Sequence, residues 1–81
     1  MEQNEILSDL TNLFRKVLSN NSIELKMETT AGDVDDWTSL NHMIIISEIE
    51  KKYQIKFALK EIMKLKNVHD MCVIISSKLI N

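Results

Sequence analysis

Apolar side chains recur three and four positions apart through most of this chain. Ile6, Leu7, Leu10, Leu13, Phe14, Val17 and Leu18 form one stripe at helical period, which predicts a first helix from about Gln3 to Leu18. Glu2 and Glu5 near its start and Arg15 and Lys16 near its end carry the signs that suit a helix dipole. "SNNS" follows, and such side chains end helices by competing for backbone hydrogen bonds. A second helix is predicted from near Ser39, carrying Leu40, Met43, Ile44, Ile45, Ile46, Ile49 and Tyr53. That is more apolar surface than a single stripe of about 100° can hide. Leu40, Met43 and Ile44 lie on a different side from Ile45, Ile46, Ile49 and Tyr53, so one set can face a core while the other is left for a partner. "ALKEIMKL" offers a short third helix with Leu59, Ile62, Met63 and Leu65. A last helix starts after Asn67, a good N-cap with Asp70 in the first turn. Val68, Met71, Cys72, Ile75 and Leu79 are in register along it, with Lys78 favourably placed at its end.

Residues 19–38 show no helical periodicity. A connection this long is uncommon in a compact domain unless it is functional or pinned by its own side chains. Ile23, Leu25 and Met27 alternate there, consistent with an extended stretch laid over the core; a strand would have no evident partner. Proline is absent and Gly32 is the single glycine, which removes most of the usual helix stops. The expected architecture is all-α: a small four-helix bundle of three longer helices plus a short third one, with a long loop between helices one and two. At 81 residues this is one domain, 1–81, too short for two cores.

Composition adds constraints. An apolar fraction of 44% with 27% charged residues belongs to a globular chain rather than a disordered one. The amino terminus lacks the basic start and apolar run of a signal peptide, and "MIII" and "MCVII" fall far short of the roughly 20 residues of a membrane span. A cytoplasmic, soluble protein is expected. Cys72, the one cysteine, can form neither an internal disulfide nor a cysteine-based metal site. A net charge of -2 argues against nucleic acid as a partner. The charges between Asp33 and Glu50 are all acidic, whereas Lys51, Lys52, Lys56, Lys60, Lys64 and Lys66 follow with only Glu61 against them. Solvated helix faces account for the lysines.

Chemistry concentrates in "DDWTSLNH", residues 35–42. Asp36, Ser39 and His42 are three apart, so a hydrolase-like triad has to be weighed. It fails on its surroundings: no glycine-rich elbow supplies oxyanion donors, and the chain scarcely suffices for a substrate pocket. His69 and Cys72 share the same spacing, but with no further ligand nearby they read as a surface histidine above a core cysteine. No catalytic residue and no metal site are expected. Either Thr38 or Ser39 can cap the second helix. Ser39 also stands after a long loop, at the positive end of a helix, where a phosphate is favoured. Trp37 is expected to anchor the loop by packing.

The order D-W-T-S-L-N-H, an apolar helix and then "EIEKKYQIKF" resembles the acyl carrier protein family, in which a serine of an Asp-Ser-Leu motif opens the second helix and is modified. The resemblance extends over essentially the whole chain, with Tyr53 and "IKF" after the serine-led helix. It implies that a phosphopantetheinyl transferase attaches 4'-phosphopantetheine from coenzyme A to Ser39, and that the arm's thiol carries acyl groups as thioesters. Asp36, Leu40, Met43, Ile44 and Glu48 would form the face that docks the transferase and acyl-activating or acyl-transferring enzymes, with the carrier itself a monomer. Two departures stand out. Thr38 occupies the place usual for aspartate, and Asn41, Ile44 and Lys51 stand where acids are common, ahead of a lysine-rich third region. Docking to basic partners should then be weaker and more local, which suits a specialised carrier rather than the general fatty-acid one. An aminoacyl or peptidyl carrier, or an unmodified helical interaction module in which Ser39 only caps a helix, are the alternatives.

Overall fold

The computed structural model describes residues 2–79 and contains helix α1 (Gln3–Val17), a 3-10 turn (Ala31–Asp33), α2 (Ser39–Tyr53), a short α3 (Leu59–Met63) and α4 (Val68–Leu79). The expected all-α, four-helix architecture is present. No strand forms among the described residues, and no helix among them is long and apolar enough to cross a membrane.

α1 stops one residue before Leu18, whose N–H still bonds back to Phe14 O at 2.9 Å. Ser19 then turns left-handed, with φ of 52°. Asn20 N–H closes the end on Arg15 O at 3.0 Å while its side-chain oxygen accepts from Ser22 N–H at 2.9 Å. The "SNNS" stretch thus ends the helix through the local hydrogen bonds its residue types favour. Ile6, Leu10 and Phe14 on α1 meet Ile45, Ile46 and Ile49 on α2 and Val68, Met71, Cys72 and Ile75 on α4. α1 packs against both α2 and α4. Burial of these apolar faces, at about 25 cal/mol per Å² of surface removed from water, is the main term holding the bundle.

The long loop is pinned as well as laid over the core. Ile23 and Leu25 are buried and Met27 is partly so, alternating with exposed residues; the expected extended stretch ends short of Met27, which sits in a turn closed by Thr29 N–H on Lys26 O at 3.1 Å. Arg15 Nε donates to Ile23 O at 2.7 Å, tying the run to α1. Thr29 Oγ1 accepts from Lys26 N–H at 2.9 Å. The carbonyls of Thr29 and Met27 accept from Val68 N–H at 2.9 Å and His69 N–H at 2.8 Å. A helix start leaves its first N–H groups without partners inside the helix, and here the loop supplies them. Asn67 caps as expected, its Oδ1 accepting from Asp70 N–H at 2.9 Å, and Asp70 returns a bond to Lys66 N–H at 2.9 Å.

The α2–α3 corner turns on Gln54, left-handed at φ 56°, with Glu50 Oε2 accepting from Phe57 N–H at 2.9 Å. Ile62 of α3 and Leu65 just after it pack against the core, while Leu59 and Met63 point outward at 71% and 77% exposure. The Glu61 carboxylate accepts from Ala58 N–H at 2.7 Å and pairs with Lys78 at 3.1 Å, fastening α3 to the end of α4. These contacts hold the Glu61 carboxyl below its ordinary range, the Ala58 N–H foremost.

Candidate functional site

The turn into α2 is built around Trp37. Its ring is buried and stands edge-on to Phe14, with centroids 4.8 Å apart, so the indole anchors the loop as its residue type suggested. Its Nε1–H donates to His42 Nδ1 at 3.0 Å, and the two ring planes are 26° from parallel. Asp36 precedes it in the left-handed region at φ 68°, a conformation aspartate tolerates better than most residues. The Asp36 carbonyl accepts from Thr38 N–H at 2.9 Å and from Asn41 Nδ2 at 2.7 Å.

Thr38 caps the helix. It is extended, its Oγ1 accepts from Asn41 N–H at 3.2 Å, and its carbonyl takes the first helical bond, from His42 N–H at 2.8 Å. Threonine here does the capping for which aspartate is an even more favoured residue. Ser39 is therefore released from that duty. It is the first residue of α2, it is exposed, and its hydroxyl makes no hydrogen bond among the described residues. No acid lies in the first turn of α2, so the positive end of its dipole is not offset there.

Beside Ser39 a cavity of about 390 Å³ lies between α2 and the segment from α3 to α4, with Met43, Ile62, Leu65 and Met71 in its lining. Trp37 and His42 also line it, as does Lys66. Burial holds the His42 imidazole below its usual pKa.

Of the other residues singled out from the sequence, Leu40, Met43 and Ile44 are exposed at 73%, 48% and 42%, while Ile45, Ile46 and Ile49 are buried. The two apolar sides of α2 are real. Leu40, Ile44 and Glu48 are four apart and share one stripe. Glu48 is half-buried and contacts Lys51 at 3.5 Å, an exposed pair worth little. Asp36 is exposed in the turn ahead of the helix. No triad forms from Asp36, Ser39 and His42, because His42 Nδ1 is taken by Trp37. His69 is exposed and Cys72 fully buried, the surface histidine above a core cysteine that was expected. Among the described residues no group of three or more His, Cys, Asp or Glu side chains is placed to hold a metal ion. The Trp37–His42 bond was not anticipated from the sequence, where the only signal is a buried indole that needs an acceptor.

No protein-family model matches the chain, and no curated protein does. Among solved structures, the solution structure of the holo acyl carrier protein from Geobacter metallireducens is 49% identical, with a TM-score of 0.86 over 91% of this chain and 85% of that one. The chain belongs to the acyl carrier protein family. In this acyl carrier protein the start of α2 sets an exposed serine, with no hydrogen bond among the described residues, beside the cavity.

Proposed function

We propose that this chain is a non-catalytic carrier that bears 4'-phosphopantetheine on Ser39 and presents acyl groups to partner enzymes. The observation that carries the reading is the Ser39 hydroxyl: exposed, unbonded, and spared from capping by Thr38. The likeness to a holo acyl carrier protein supports the arm. The surroundings fit it, since the N–H groups of the first turn of α2 favour a phosphate and the apolar cavity lies alongside.

In the transfer, the Ser39 oxygen bonds to the phosphorus of coenzyme A that carries the pantetheine, as the bond to the departing 3',5'-ADP breaks. His42 is unsuited to take the serine proton. Its Nδ1 accepts from Trp37, so in the neutral ring Nε2 carries hydrogen and neither nitrogen is free to accept. The base therefore comes from the phosphopantetheinyl transferase. Once attached, the arm supplies a terminal thiol for thioester formation.

Leu40, Met43 and Ile44, edged by Asp36 and Glu48, form the docking face for the transferase and for acyl-activating or acyl-transferring enzymes. Their exposure supports this, because large apolar groups left outside a core of this size mark interaction surfaces. With no acid in the first turn of α2, docking relies on this apolar contact more than on long-range attraction, which favours a specialised carrier over the general fatty-acid one. One hydrophobic core drawn from α1, α2 and α4, with Ile62 of α3 packed against it, supports a single domain over 1–81.

The test is intact-protein mass spectrometry after incubation with coenzyme A and a broad-specificity transferase. A gain of one phosphopantetheine in the native chain and none in Ser39→Ala is expected. No gain in either would reject the carrier in favour of an unmodified interaction module, and loading of the modified protein by an amino-acid-adenylating enzyme would reassign the cargo.

A further inference from the structure

A nitrogen that accepts a hydrogen bond cannot carry the proton of a neutral imidazole, so the bond from Trp37 places the His42 proton on Nε2. The bond joins the edges of the two rings, which lie 26° from parallel with centroids 5.8 Å apart, so the indole sets the direction of the imidazole plane as well. His42 Nε2 itself makes no hydrogen bond among the described residues, and no buried side-chain polar atom there lacks a partner. Nε2–H is thus a donor of fixed direction outside the closed core, on a residue that lines the same cavity as Ser39.

Ser39 and His42 are one helical turn apart, a spacing that brings their Cβ atoms to about 5–6 Å. Helical side chains lean toward the N-terminus, so His42 leans back over the turn that Ser39 opens. The charge around them points the same way. No carboxylate lines the cavity, and its charged member is Lys66, exposed and in no ion pair among the described residues. The nearest acids in sequence, Asp35 and Asp36, are exposed in the loop and do not line the cavity. A lysine is a mobile, solvated point charge, whereas the imidazole is tied at Nδ1 to a buried indole whose plane lies 26° from its own.

We propose that His42, oriented by Trp37, is a positioning residue that donates Nε2–H to a phosphodiester oxygen on Ser39 and so turns the root of the arm toward the cavity. This rests on the carrier reading of Ser39. It makes His42 a determinant of where the arm lies before a partner engages it.

The test is ³¹P NMR of the loaded protein against pH. A phosphodiester does not itself titrate between about pH 5 and 8, and carboxylates and lysines ordinarily titrate outside that window, so an inflection there reports a histidine. The expected result is an inflection that coincides with the His42 ring titration, disappears in His42→Phe and survives in His69→Gln. His42 should also titrate higher in the loaded protein than in the unloaded one, because an anion beside it favours the charged ring. His42→Gln retains an acceptor for Trp37 and a donor for the arm, so its ³¹P resonance should stay near the neutral wild-type position without an inflection; it carries the test if His42→Phe does not fold. A flat ³¹P profile in the loaded wild type, or an inflection that follows His69, overturns the proposal while leaving the carrier intact. Absence of the mass gain on Ser39 removes both.

Discussion

The hydroxyl of Tyr53, the last residue of α2, donates to the Asp9 carboxylate of α1 at 2.7 Å, a bond that spans 44 positions of sequence. Burial first, and this bond second, push the Tyr53 phenol above its ordinary pKa. Tyr53→Phe should cost about 1–2 kcal/mol, the usual worth of a hydrogen bond to a charged group at a half-buried site, read from the urea midpoint. Because the folded state favours the protonated phenol, the contribution is complete below the unfolded value of about 10 and fades as pH rises beyond it. The native chain should therefore lose stability above that pH more steeply than Tyr53→Phe; parallel slopes would refute the assignment.

The cap and the proposed modification site sit on adjacent residues and can be separated. Thr38→Ala removes the oxygen that Asn41 N–H uses and should cost about 1 kcal/mol. Ser39→Ala removes an unbonded, exposed hydroxyl and should leave the melting temperature within a degree or two of the native chain. Only Ser39→Ala should abolish loading. A large stability loss in Ser39→Ala would show that its hydroxyl has a structural partner after all.

Burial holds His42 below its ordinary value, so the folded state favours the neutral ring. That contribution is complete above the unfolded pKa of about 6.5 and is lost as pH falls below it. Protonation would also place a hydrogen on Nδ1, where Trp37 already donates. Denaturation midpoints from pH 7.5 down to 5.5 should fall more in the native chain than in His42→Gln. Trp37, the one tryptophan, should change fluorescence over the same range.

Cys72 has no exposed surface, and burial pushes its thiol up to about 11. A thiol in that state is a poor nucleophile at pH 8. A disulfide reagent should find no fast-reacting thiol in the unloaded folded protein and one in the loaded protein, at the end of the arm. Fast labelling of the unloaded chain would place Cys72 in a more open setting than its packing indicates.

Much of this architecture could be read from periodicity because the helices are amphipathic. Ile45, Ile46 and Ile49 against Leu40, Met43 and Ile44 is a division that spacing alone reveals, and the exposures follow it. The choice of cap could not be read, since Thr38 and Ser39 are neighbouring hydroxyls and only the extended backbone at Thr38 decides between them. The end of α1 was legible to within a residue, because Asn and Ser side chains act locally. Residues 19–38 were recognisable as a segment in need of anchoring and Trp37 as one anchor, but two others are the carbonyls of Met27 and Thr29, groups that every residue carries. The Trp37–His42 bond bridges a spacing of five across a helix start, which belongs to no periodic pattern.

The bonds from Val68 and His69 to Thr29 and Met27 make the start of α4 depend on chain laid down long before it. A helix that borrows its first acceptors from a distant segment cannot complete its opening turn until that segment has docked. Loop and helix should therefore behave as one cooperative unit in native-state hydrogen exchange, with the Val68 and His69 amides protected to the same degree as each other. The same nonlocal pairing raises the cost of forming either piece alone, placing their union late in folding, after the helices that rely on near neighbours.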